Sequence, residues 1–180
     1  MERHVAFLRG INLGNRRVKG PELVAHFEAM GLEDVATFRA GGNVVFVDPG
    51  GATEARLQAR VEAGLEERLG YDVPVFLRSA GEVLAIAARD PFDAAAIEAS
   101  KGRPQVILLG RKPSAKAKEA LEGITPEGDL MVFEGRELHW LPTVGLSETE
   151  LDTKALDAAL GRGTTRTAGT IAALAAKYCG

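Results

Sequence analysis

Apolar positions along this 180-residue chain follow two rhythms, and each rhythm predicts elements. Val5-Ala6-Phe7-Leu8 is a continuous apolar run closed by Arg9-Gly10, the pattern of a buried strand. Gly10 to Gly20 holds three glycines and two asparagines and reads as a loop. Pro21 then opens a helix with Leu23, Val24, Phe27 and Met30 on one face, ended by Gly31. A strand is predicted over 35–39, a tight turn at Gly41-Gly42, and a returning strand over 44–47. Leu57, Val61, Leu65 and Leu69 mark a second helix closed by Gly70. A fourth strand runs over 73–77, and Pro74 places it at a sheet edge, because proline cannot donate to the ladder.

That order, βαββαβ, is the ferredoxin-like split unit, and the pattern restarts after a joint. Ser79 and Glu82 have capping-box spacing for a linking helix that stops before Pro91, and residues 90–104 read as the joint itself. Val106-Ile107-Leu108-Leu109 is again a buried strand, and Pro113 opens a helix through Leu121. Leu130–Phe133 turns at Glu134-Gly135 into Glu137–Leu141. A second capping box, Ser147 to Glu150, predicts a helix reaching Leu160, followed by a strand at 163–166 and a helix over 171–178. The fold class is therefore α+β, two ferredoxin-like (βαββαβ) subdomains in tandem with antiparallel sheets, the second copy less regular. The expected organisation is a subdomain at 1–78, a linking helix and joint at 79–104, and a second subdomain with a C-terminal helix at 105–180. The unbroken apolar runs further predict that both faces of the central strands are covered.

Composition bounds the rest. Hydrophobic residues at 46% and charged residues at 26% are ordinary globular values, which excludes disordered and fibrous classes. The single cysteine, Cys179, excludes a disulfide framework and fits a reducing compartment. No apolar run approaches the roughly 20 residues of a membrane span, and no signal-like segment opens the chain. A cytoplasmic protein is expected. A net charge of −3 argues against a dedicated nucleic-acid binder.

The charge is unevenly placed, and topology makes that informative. Residues 1–20 carry +4, residues 161–180 carry +3, and the stretch between carries −10. In a βαββαβ unit the first and third strands are central neighbours, so the end of the first lies beside the start of the third. The Arg9–Arg17 segment and the Gly41-Gly42-Asn43 turn should then meet at one sheet end, where the first helix also presents free N–H groups and its positive dipole end. Arginine, asparagine and glycine there suit a phosphate or carboxylate. The candidate ligand-binding residues are Arg9, Gly10, Asn12, Gly14, Asn15, Arg16 and Asn43, with Arg166 added from the basic C-terminal segment. The alternative reading makes the glycines and asparagines turn formers and the arginines solvated.

Catalytic constellations are not recognisable. Gly10-Ile11-Asn12-Leu13-Gly14 lacks the Gly-Lys-Ser/Thr ending of a P-loop, and Gly161-Arg162-Gly163 meets Arg166 where a dinucleotide fingerprint needs glycine or alanine. His4, His26 and His139 offer no closely spaced ligand pair, so neither metal nor cofactor is expected. His139 should alternate outward from Leu138 and Trp140, and Trp140 reads as core.

Ala6–Asn15, the spacing to Val35-Ala36-Thr37 and Gly42–Phe46, and Asp72-Val73-Pro74-Val75 together resemble the domain-of-unknown-function 1697 family of bacterial proteins. The resemblance implies a small cytoplasmic protein of two ferredoxin-like subdomains and implies no activity. This chain departs from the family pattern in three places. Gly41 stands where a serine is usual, Thr167-Ala168 replaces an Asn-Trp, and the usual serine-lysine pair is not evident around Ser147. The resulting expectation is a binding or regulatory protein for a small anionic, phosphate- or nucleotide-like ligand. The alternatives are an enzyme acting on a phosphorylated small molecule, or a nucleic-acid or protein-interaction module such as a homodimer.

Overall fold

The run Val5–Leu8 becomes the middle of a sheet. The computed structural model describes residues 2–40 and 42–180. The chain divides into two compact units, Met1–Ala85 with Leu174–Gly180, and Ile86–Ala173.

The first unit contains β1 (Arg3–Leu8), α1 (Gly20–Ala29), β2 (Glu33–Thr37), β3 (Asn43–Val47), α2 (Glu54–Leu69) and β4 (Val75–Ser79). Its four strands lie in the order β2-β3-β1-β4, every neighbouring pair antiparallel. Phe7 pairs with Asn43, so the end of β1 does lie beside the start of β3. Ala6, Leu8, Val44, Phe46 and Leu77 point one way, onto Leu23 and Phe27 of α1 and Leu57, Val61 and Leu65 of α2. Phe27 and Phe46 meet at 5.4 Å between ring centroids. Val5, Phe7 and Val45, which point the other way, are also fully buried, so both faces of β1 and β3 are covered as their unbroken apolar runs predict.

α1 crosses α2 at a glycine. Gly64 leaves no room for a Cβ beneath Met30, and the Arg68 guanidinium donates to the Ala29 carbonyl at 3.5 Å. Asp48 organises the connection from β3 to α2. Its carboxylate accepts from the amides of Gly50 (3.2 Å) and Ala52 (2.7 Å) and from Arg60 at 2.7 Å. Burial pushes the Asp48 pKa up, but those donors outweigh it and hold the group below its ordinary value.

Two details of the first unit differ from expectation. β2 starts at Glu33 and carries a bulge before Ala36, with Asp34 at φ +49. The β2–β3 connection is also no two-residue turn: the Phe38 amide bonds the Asn43 carbonyl at 2.9 Å across a longer loop. Gly41 of the expected turn lies outside the described residues.

The linking helix α3 (Ala80–Ala87) follows β4 directly. Its capping box forms: the Ser79 amide donates to Glu82 at 2.8 Å and the Glu82 amide to the Ser79 hydroxyl at 3.2 Å. The joint is not all loop, since α4 (Ala94–Ala99) forms there behind an Asp93 cap.

The second unit repeats the order with β5 (Gln105–Leu109), α5 (Ala115–Glu122), β6 (Leu130–Glu134), β7 (Glu137–Leu141), α6 (Thr153–Leu160) and β8 (Gly163–Thr167). Its antiparallel sheet runs β6-β7-β5-β8. The fold is thus α+β, with two four-stranded antiparallel ferredoxin-like sheets and flanking helices. Ile107, Leu109, Leu138 and Trp140 pack with Leu121, Leu156 and Leu160. The Trp140 indole donates to Asp129 at 2.8 Å, as a buried tryptophan requires. The Ser147–Glu150 box does not start α6. Asp152 does, accepting from the amides of Lys154 and Ala155, because an ionised carboxylate is the stronger acceptor. α7 (Ala168–Tyr178) closes the chain, and its Tyr178 carbonyl accepts from Arg3 at 3.1 Å.

His139 points away from Leu138 and Trp140 but is buried, only 4% exposed, rather than facing solvent. Its Nε2 has no hydrogen-bond partner, and burial lowers its pKa, helped by Arg89 and opposed by Glu134. Among the described residues no helix is long and apolar enough to cross a membrane.

Candidate anion-binding site

Two loops meet at the end of the first sheet, and asparagines hold them. The Asn12 side chain accepts from the Val18 amide at 3.0 Å and donates to the Ala40 carbonyl at 3.0 Å, so one residue folds its own loop and ties it to the other. Asn43, 1% exposed, donates to the Phe38 carbonyl at 2.9 Å. The Leu8 amide donates to the Gly42 carbonyl at 2.8 Å. Gly42 is obligatory on two counts: its φ is +74, and a Cβ there would lie 2.8 Å from Ile11 and 3.1 Å from Leu8.

The junction leaves an open cleft of about 610 Å³ between the β1–α1 loop, the start of α1 and the β2–β3 loop. Asn12, Arg17, Lys19, Thr37, Arg39 and Asn43 line it, with Gly20 and Leu23 of α1. Three of these side chains are cationic, and among the described residues no carboxylate lines the cleft. Arg17, Lys19 and Arg39 are exposed, and Arg39 is held at φ +55. Such a backbone conformation costs a non-glycine residue on the order of 1–3 kcal/mol. α1 begins at this cleft with no side-chain cap from Lys19, and Pro21 has no N–H to give. The first turn of α1 thus brings its positive dipole end and backbone donors to a cationic concavity.

The sequence-selected residues are distributed as follows. Asn12 and Asn43 line the cleft, each already engaged in holding a loop. Gly10 (φ +71) and Gly14 (φ +61) shape the loop backbone without lining the cleft. The Arg9 amide donates to the Pro74 carbonyl at 3.0 Å, at the β4 side of β1. Arg16 lies over the Tyr71 ring at 4.0 Å, and Asn15 is exposed; neither lines the cleft. Arg166 is on β8 of the second unit, donating to the Thr164 hydroxyl and the Thr165 carbonyl, both at 2.8 Å. Burial lowers its pKa to about 10, leaving it charged at neutral pH. Sequence reading missed Arg17, Lys19, Thr37 and Arg39 as site residues. The signal for two of them was there, since Arg17 and Lys19 belong to the basic excess of residues 1–20.

Among the described residues no group of histidine, cysteine and acidic side chains is arranged to hold a metal ion.

The fold and the cleft define a tandem ferredoxin-like α+β protein with a basic concavity at one sheet end. Over residues 1–139 the sequence matches the family described as "Protein of unknown function (DUF1697)", and the chain belongs to that family. It is similar in structure to the conserved bacterial protein SP0830 from Streptococcus pneumoniae, at 18% identity and a TM-score of 0.74, covering 98% of this chain and 97% of that one. At that identity the likeness shows the fold alone. No curated protein matches the sequence.

Proposed function

We propose that the protein is a cytoplasmic binding protein for a small anion of phosphate or nucleotide type, held in the cleft at the start of α1. The observation that carries this reading is a concavity with Arg17, Lys19 and Arg39 on its walls and no carboxylate among its described lining residues. Arg17, Lys19 and Arg39 give the cleft a positive character that a bound anion would neutralise. The uncapped start of α1 supplies backbone donors of the same polarity. Among the described lining residues there is no histidine, cysteine or carboxylate to act as a general base, which favours binding over chemistry. The shared strand order of the two units supports an origin by internal duplication.

Calorimetric titration with inorganic phosphate, a nucleoside monophosphate and the uncharged nucleoside tests the reading. A charge-assisted hydrogen bond is worth about 1.5–3 kcal/mol, so Arg17→Ala and Lys19→Ala should each weaken phosphate binding by about tenfold or more. Both side chains are exposed, so the unliganded melting temperature should not move. Absence of saturable binding by either phosphate compound, or equal binding by the Arg17→Ala variant, refutes the proposal.

A further inference from the structure

The two sheets have four edge strands among the described residues, β2 and β4 in the first and β6 and β8 in the second. An unpaired edge invites a further strand unless a bulge, a proline, an outward charge or covering structure blunts it. β2 has its bulge and the exposed acids Glu33 and Asp34. β4 is preceded by Pro74 and is buried over Val75–Arg78. β8 carries Arg166 at its edge. β6, Leu130-Met131-Val132-Phe133-Glu134, has no proline, no lysine and a continuous register with β7. Leu130 and Val132 are 43% and 38% exposed, and they share their face with the exposed Glu134.

We infer that β6 is the docking edge for β6 of a second copy of this chain, the two strands pairing antiparallel across a twofold axis. The hairpin fixes which backbone groups are available. β6 and β7 are joined by the two-residue turn Gly135-Arg136, with Gly135 at φ +59. The residues flanking such a turn, Glu134 and Glu137, exchange hydrogen bonds, so Glu134, Val132 and Leu130 face β7 and the backbone groups of Met131 and Phe133 face outward. A twofold axis at Met131 then pairs Met131 with its own copy and sets Leu130 opposite Val132 of the second copy. That register covers both exposed apolar residues with apolar partners. An axis at Val132 would instead set Leu130 against the charged Glu134, which is less favourable.

Charge permits the pairing. Glu134 is the one charged residue of β6, and it is already bridged to Arg89. A closed twofold pair also uses up the edge, so association stops at the dimer. In that register Leu130, Met131 and Val132 of each copy face the other β6, well short of the roughly 800 Å² per partner of a standard interface. The dimer is accordingly weak, forming between micromolar and millimolar protein.

Sedimentation velocity of the full chain over that range should show a monomer–dimer equilibrium. Val132→Lys and Leu130→Glu should each weaken it at least tenfold with little change in melting temperature, since both positions are exposed. The double variant Leu130→Glu/Val132→Lys sets opposite charges across the axis and should recover association that salt then suppresses. A monomer throughout the range, or undiminished association in both single variants, overturns the inference.

Discussion

The two units share one topology but begin their helices differently. In the second unit α5 starts behind Ser114, which accepts from the Ala117 amide, and α6 starts behind Asp152, which accepts from two amides. In the first, neither Lys19 before α1 nor Thr53 before α2 gives a side-chain cap. The connecting loops differ as well. Five residues join β5 to α5, whereas residues 9–19 join β1 to α1 and are folded back by Asn12. Of the two uncapped starts in the first unit, only that of α1 lies at the cationic cleft. A capped start has its donors satisfied and offers an anion little; the start of α1 keeps that capacity.

The largest expected effect comes from Gly42, where positive φ and close packing act on one residue. Gly42→Ala combines positive-φ strain with overpacking against Ile11 and Leu8, each worth about 1–3 kcal/mol, so denaturant unfolding should show a loss of about 2–6 kcal/mol. A loss under 1 kcal/mol would show that the two loops yield to each other. Next comes Asp152→Ala, which removes a working cap and should cost about 0.5–2 kcal/mol by the same measurement.

Lys19→Asp tests the contrast from the other side. It gives α1 the kind of cap α6 has, and should stabilise the protein by about 0.5–1 kcal/mol while eliminating phosphate binding. Stabilisation with binding retained would detach the anion site from the helix start.

The smallest effect concerns pH. His139 is buried and its pKa lowered, so the unfolded chain takes up a proton near pH 6.5 that the folded chain refuses. Stability should therefore rise with pH between the folded value and about 6.5, and fall as pH drops through that window. His139→Gln should flatten that limb. The Asp48 contribution lies lower: it is present above the ordinary carboxylate pKa near 3.8 and is lost as pH falls through the depressed folded value.

The strands were legible because three of them are unbroken apolar runs, which only a strand covered on both faces requires. The start of α6 was not, because Ser147 and Asp152 are both good caps and local spacing cannot say which the chain uses. α4 was hidden by its length, six mostly alanine residues making less than two turns between breakers. At the site, topology correctly brought the two loops together. It could not separate Arg16 from Arg17: the two are adjacent and chemically identical, yet one lies on Tyr71 and the other faces the cleft. That choice is made by an aromatic ring distant in sequence, which no local pattern encodes.

Gly64 has a mechanical consequence. α1 has Gly20 at the cleft and ends beside Met30, which rests on the notch that Gly64 leaves in α2. A ten-residue helix is a stiff rod about 15 Å long. A methyl group in the notch meets the Met30 thioether first, and that flexible side chain can turn aside. The helix that opens the basic cleft is thus seated, at its far end, on an adaptable thioether rather than on rigid backbone.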